Sequence, residues 1–229
     1  MKGEPKSRLP RWLRAPQPKQ LLPKEEIDKL YPRLRFQVFI GIFIGYASFY
    51  LIRNNVSLVS NILYENGLSK TDIGIIANCL LVAYGLSKFF AATISDRANA
   101  RYFMPLGLIL SGLTNVLISL SAGATISVSI FAILMTVNGI FQGMGWPPSG
   151  RVMVHWFSTS ERGGKMAIWN VAHNVGGALS GVLVAFALDH FGHNNWASAF
   201  WFPAVICFVL AIITFFLVRD NPQSMGLPS

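Results

Sequence analysis

Charge is what this sequence has least of. Only 13% of its 229 residues are charged against 52% hydrophobic, which leaves too little polar surface to cover one soluble domain. The balance implies an integral membrane protein. Cysteine is nearly as scarce: Cys79 and Cys207 stand far apart inside apolar runs, where they read as small core residues and not as a disulfide or metal site. No Gly-rich phosphate loop ending in Gly-Lys-Ser/Thr occurs, His190 and His193 have no neighbouring metal ligands, and no connector gathers a nucleophile, a base and an orienting acid. Neither an enzyme nor a cofactor is expected. A cleavable signal peptide is not expected either, because residues 1–35 are basic and Pro-rich without a short apolar core.

What the chain does have is apolar stretches of about 20 residues, the length that crosses a bilayer. They fall at roughly 36–60, 73–95, 102–122, 126–148, 164–188 and 197–218, and they predict an all-α membrane protein of six transmembrane helices. The connectors are 61–72, 96–101, 149–163 and 189–196, with the end of the fourth helix placed near Pro147 in "GWPPSG". The expected division is a basic cytoplasmic segment over 1–35, a six-helix membrane domain over 36–218, and a tail or linker over 219–229. Of nineteen Lys and Arg, ten lie in 1–35, two in 96–101, three in 149–165 and one at Arg219, against Lys70 alone on the opposite side. The positive-inside rule then puts both termini in the cytoplasm. The basic tail is read as the flank of a first span facing anionic lipid headgroups, not as a nucleic-acid surface.

Two cations are left over, Arg53 and Lys88, and both fall within predicted spans, where no Asp or Glu clearly falls. An unpaired cation inside a membrane costs about 2.5–3.5 kcal/mol on insertion scales. Snorkelling to the nearest interface is one account of such residues. A binding site is the other, and helical spacing favours it. Tyr46, Tyr50, Arg53 and Ser57 share one face of the first helix, and Tyr84 and Lys88 are four apart on the second. Trp169 and His173 repeat that spacing in the fifth, and Asn138, Gln142 and Trp146 in the fourth. Arg53, Lys88 and His173 converging in a bundle would form a strongly positive cavity that takes an anion. A phosphate monoester, with about −1.5 to −2 charge, balances two fixed cations and suits the planar fork of arginine; a dicarboxylate balances them too. His173 has two readings, a proton partner for phosphate or a neutral ring bonded to a backbone carbonyl.

Two further features stand outside this face. In "SDRANAR", Asp96 is placed to accept from an arginine or a helix N-terminus across the bundle, or else belongs to a plain charged turn. Gly139, Gly143 and Gly145, with Gly177 and Gly181, are small residues at close-packing spacing.

The blocks "FIGIFIGYASFYLIR", "AYGLSKF", "SDRANARYFMPLGLI", "FQGMGWPPSGR", "MVHWFSTSERGG", "WNVAHNVGG" and "VRDNPQSMGLP" run in order from about Arg33 to Pro228. With them the chain resembles the organophosphate:phosphate antiporters of the major facilitator superfamily, the glycerol-3-phosphate transporters most of all. The resemblance implies the N-terminal six-helix half of that fold, in a bacterial inner membrane, and exchange of an organic phosphate for inorganic phosphate. It also implies a substrate site of Arg53, Lys88 and His173 lined by Tyr46, Tyr50, Tyr84, Trp146 and Trp169. Asn54 stands where relatives often carry lysine and Ser149 where cysteine is common, and the first of these weakens the choice among substrates. The family has twelve spans, so a second half or a homodimer is the implied partner. A hexose-phosphate transporter, a membrane sugar-phosphate receptor feeding a signalling kinase, and an inactive truncated remnant are the alternatives.

Overall fold

The computed structural model describes residues 9–121 and 127–228. Ten α-helices follow in order: α1 (Lys24–Leu51), α2 (Asn55–Leu58), α3 (Ser60–Glu65), α4 (Lys70–Ser95), α5 (Ala100–Leu120), α6 (Val128–Gln142), α7 (Trp146–Trp156), α8 (Thr159–Asn170), α9 (Ala172–Phe191) and α10 (Ser198–Leu217). By length and composition six membrane-crossing units result: α1, α4, α5, α6 with α7, α8 with α9, and α10; the short α2 and α3 belong to none of them. The six expected spans are therefore present; the facing ends of the third and fourth, residues 122 and 126, lie outside the described residues.

Helix starts follow local chemistry. Ser69 and Asp72 form a reciprocal capping box at α4, and Ser158 and Glu161 do the same at α8. The Asn99 side chain accepts from Arg101 N at the start of α5. Three boundaries differ from expectation. α1 begins at Lys24, because Glu25 and Glu26 in its first turn suit a helix N-terminus, so the expected 1–35 segment is partly helical. Residues 149–163 are not a loop: α7 continues to Trp156 and α8 opens at Thr159. The fourth unit is interrupted before Pro147, at 143–145, and the prolines begin the new helix, where a missing N–H costs little.

α4 packs against α6, α5 against α10, and α1 against both α9 and α10. Gly139 allows the first contact, since a β-carbon there would collide with the Leu80 carbonyl and stand 2.8 Å from Ala83 Cβ. On α9 the tight glycine is Gly176, against the Ala47 carbonyl; Gly177 and Gly181 face open space, contrary to the packing role expected of them. Apolar side chains collect in two main clusters. Leu34, Val38, Ile42, Phe49, Met104 and Trp156 belong to one, and Val56, Leu63, Ile76, Leu80, Phe131 and Phe200 to the other. Along α2, α5, α6 and α9 the stretch between them carries buried Asn55, Ser111, Asn115, Asn138, Gln142 and Ser180.

The first and last described segments are tied to the bundle. Leu13 is buried beside Ala98 and Phe103, Ala15 N donates to Arg97 O, Lys19 N to Gln223 O, and Leu22 N to Gly226 O. Asp220 is the anchor of this region. Its carboxylate accepts from Ala100 N at 2.8 Å, at the start of α5, and from Arg151 Nη2 at 2.7 Å. This is the contact expected of Asp96, which instead lies exposed at the C-terminal end of α4.

Candidate functional site

α1 stops at Leu51, so Arg53 lies in an irregular turn and the shared helical face expected through Ser57 ends at Tyr50. A helix end inside a membrane frees backbone carbonyls that lipid cannot satisfy. Here each has a partner. Ser48 O accepts from Cys207 Sγ at 3.2 Å, Phe49 O from Gln142 Nε2 at 3.1 Å, and Tyr50 O from Arg53 N at 3.4 Å. Leu51 O accepts from Ser180 Oγ at 3.4 Å, and Ile52 O from Asn115 Nδ2 at 3.3 Å and Asn138 Nδ2 at 3.4 Å. The polar layer between the two apolar clusters is the cap of a broken helix.

Arg53 is 7% exposed and faces no acid: among the described residues the ion pairs are Arg35 with Glu161, Arg151 with Asp220, and His193 with Asp189. Its guanidinium carbon lies 4.0 Å from the centre of the Tyr50 ring and 4.1 Å from that of Tyr84, two cation–π contacts that hold the cation without neutralising it. Nε donates to Gln142 Oε1 at 3.0 Å, while Nη2 is buried with no hydrogen-bond partner among the described residues. A buried donor of a cation without a partner is uncommon and needs an explanation.

The other expected residues extend from this point. Lys88 Nζ sits 4.1 Å from the Tyr84 ring centre, so both cations lie against the same ring. Tyr46 and Tyr50 hydroxyls are 3.4 Å apart, and the Tyr50 ring lies 5.8 Å from His173. His173 is half-buried and makes no hydrogen bond to a backbone carbonyl among the described residues. Trp169 stacks on Tyr46 at 4.6 Å, and its indole N–H donates to Ile42 O at 3.1 Å, so it meets the site with its ring. Trp146 stands past the break in the fourth unit and is 43% exposed. The break at 143–145 takes it off the face of Asn138 and Gln142, and it lines a shallow crevice with Gly163, Met166 and Trp169.

Sequence reasoning missed the support beneath Arg53. Asn138 and Gln142 stood out by their spacing; Ser111 and Asn115, also four apart in an apolar helix, carried the same signal on α5.

The family model described as Major Facilitator Superfamily matches residues 38–229. The chain is 51% identical over 207 residues to a glycerol-3-phosphate transporter of Bacillus subtilis, covering 90% of this chain and 46% of that protein. It is 47% identical to a glycerol-3-phosphate transporter of Haemophilus influenzae, covering 91% and 45%, and 40% identical to the membrane sensor protein UhpC of Escherichia coli, covering 95% and 48%. A crystal structure of a bacterial homolog of the human lysosomal transporter Spinster superposes with a TM-score of 0.69 at 19% identity, over 83% of this chain and 44% of that one. The chain thus spans about half the length of the curated relatives it matches. With six membrane-length helices in that fold and a match from residue 38 to residue 229, the chain belongs to the major facilitator superfamily.

Proposed function

We propose that this chain is the N-terminal half of an organophosphate:phosphate antiporter and supplies one side of its substrate site. The observation that carries the reading is Arg53, a buried cation with an unpartnered Nη2 and no acid beside it, with Lys88 against the same tyrosine ring. Arg53 is the principal phosphate anchor, Lys88 supplements the charge, and His173 is the hydrogen-bond or proton partner. Tyr46, Tyr50 and Tyr84 shape the wall, with Trp169 behind them and Trp146 toward the rim. Glycerol-3-phosphate is the substrate favoured by the relatives bearing that name, and a hexose phosphate comes second. Both termini face the cytoplasm, in keeping with the cation count. The second half comes from the remainder of a longer chain or from a second copy.

Exchange follows from electrostatics. Closing an empty cavity around uncompensated cations is unfavourable, whereas a bound phosphate neutralises them and lets two halves rock past one another. The sensor reading is supported by the relative named UhpC, and it shares the same anion site. The test is reconstitution in phosphate-loaded liposomes with uptake of labelled glycerol-3-phosphate and glucose-6-phosphate, beside equilibrium binding of inorganic phosphate. Arg53→Lys, which keeps the charge and loses the fork, should abolish exchange and weaken binding at least tenfold. Binding without exchange would favour a half-site or a sensor. Neither binding nor exchange in a folded protein would overturn the proposal.

A further inference from the structure

Gln142, the last residue of α6, is fully buried, and every polar atom of its amide is engaged. Oε1 accepts from Arg53 Nε at 3.0 Å, while Nε2 donates to Phe49 O at 3.1 Å and to Ser111 Oγ at 2.9 Å. Ser111 Oγ in turn donates to Asn138 Oδ1, and Asn138 Nδ2 to Ile52 O. A reversed amide would set donor against donor at Arg53 and acceptor against acceptor at Phe49, so one orientation is selected. The chemistry of the acceptor matters as much as its place. A carboxylate here would form an ion pair with Arg53 and cancel its charge. A neutral amide takes the Nε proton and leaves the full positive charge for another partner.

We infer that Gln142 is the positioning residue of the anion site: it aims the Arg53 guanidinium with a neutral acceptor, so that the cation is oriented but not neutralised. The inference rests on the proposed anion-binding role of Arg53 and extends it to a residue that touches no substrate. It accounts for a buried arginine that has a fixed direction, two tyrosine faces, an open Nη2 and no counter-ion. It also joins two breaks in the fold, since Gln142 ends α6 while capping the broken end of α1.

The test uses the whole chain in lipid nanodiscs, with inorganic phosphate as the probe and arginine Nε–H resonances as a second readout. In the parent chain the Arg53 Nε–H should appear as a slowly exchanging resonance. Gln142→Met keeps the volume without the acceptor; it should lose that resonance and weaken phosphate binding about tenfold, the loss expected when a charged donor is no longer fixed. Gln142→Glu should keep the resonance yet bind phosphate at least as weakly as Gln142→Met, because its carboxylate competes for the charge. Ser111→Ala, which frees the amide without touching Arg53, should fall between and guards against a variant that fails to fold. Gln142→Glu binding phosphate like the parent, or Gln142→Met leaving the resonance and the affinity unchanged, would overturn the inference. A parent chain that shows the resonance and its loss in Gln142→Met, but binds no phosphate, would instead overturn the anion-site reading.

Discussion

The anchor of the last described segment gives the most quantitative prediction. The Asp220 side chain has no exposed surface and that of Arg151 is 13% exposed, with the two 2.7 Å apart. Removing one member of a buried pair typically costs about 3–5 kcal/mol, because the other charge is stranded. In Asp220→Ala the stranded Arg151 keeps the Ser95 and Ala98 carbonyls, which favours the low end, about 3 kcal/mol. Loss of the acceptor for Ala100 N adds about 1 kcal/mol. At about 2–4 °C per kcal/mol for a chain of this size, the melting temperature should fall by roughly 8–16 °C. Arg151→Ala should cost less, since the stranded carboxyl can take up a proton. The double variant Asp220→Ala with Arg151→Ala should be milder than the sum of the two singles by at least 1 kcal/mol, the sign of a coupled pair. Buried Cys207 supplies the assay: in a Cys79→Ser background, a thiol-reactive dye reports unfolding in detergent. Additive single variants, or an Asp220→Ala that melts like the parent, would refute this account.

Two predictions concern other sites. Gly139→Ala forces a methyl into the Leu80 carbonyl and should destabilise the α4–α6 contact by about 1–3 kcal/mol, while Gly177→Ala, facing open space, should be neutral in the same assay. Burial outweighs the pull of Arg151 and raises the Asp220 carboxyl above its ordinary value. The folded chain then holds a proton that the unfolded chain releases, so this group favours folding at acid pH. Its contribution fades as pH rises through the raised value; Asp220→Asn should remove that part of the pH dependence of thermal unfolding.

The six spans and the two stray cations were legible because each is written in consecutive residues: an apolar run of the right length, and a charge that such a run rarely holds. Arg53 lies against the Tyr50 and Tyr84 rings, and Lys88 against the Tyr84 ring. The break at residues 52–54 was not legible. Nothing local forces it, and its carbonyls are satisfied from α5, α6, α9 and α10, whose approach only the folded bundle defines. The same holds for Asp220. "SDRANAR" offered Asp96 as a partner for an arginine or a helix start, but the acid that meets both comes from 124 positions further on. Residues 149–163 misled because Arg151, Arg162 and Glu161 look like loop charges, whereas each is bonded to backbone or to another charge at a helix end.

The interruption of α1 has an electrostatic consequence. Peptide dipoles along a 28-residue helix add up, leaving the equivalent of about half a negative charge at its C-terminal end. Arg53 stands two residues beyond that end. The partners of the terminal carbonyls are a thiol, a hydroxyl, amides and two backbone N–H groups, none of which carries a charge to quench the field. A cation so placed gains about 0.3–1 kcal/mol, and up to about 2 kcal/mol where partly buried, against an insertion cost of about 2.5–3.5 kcal/mol. The helix therefore offsets part of the cost of a lone arginine in the membrane, and under the proposed function an arriving anion relieves the shortfall.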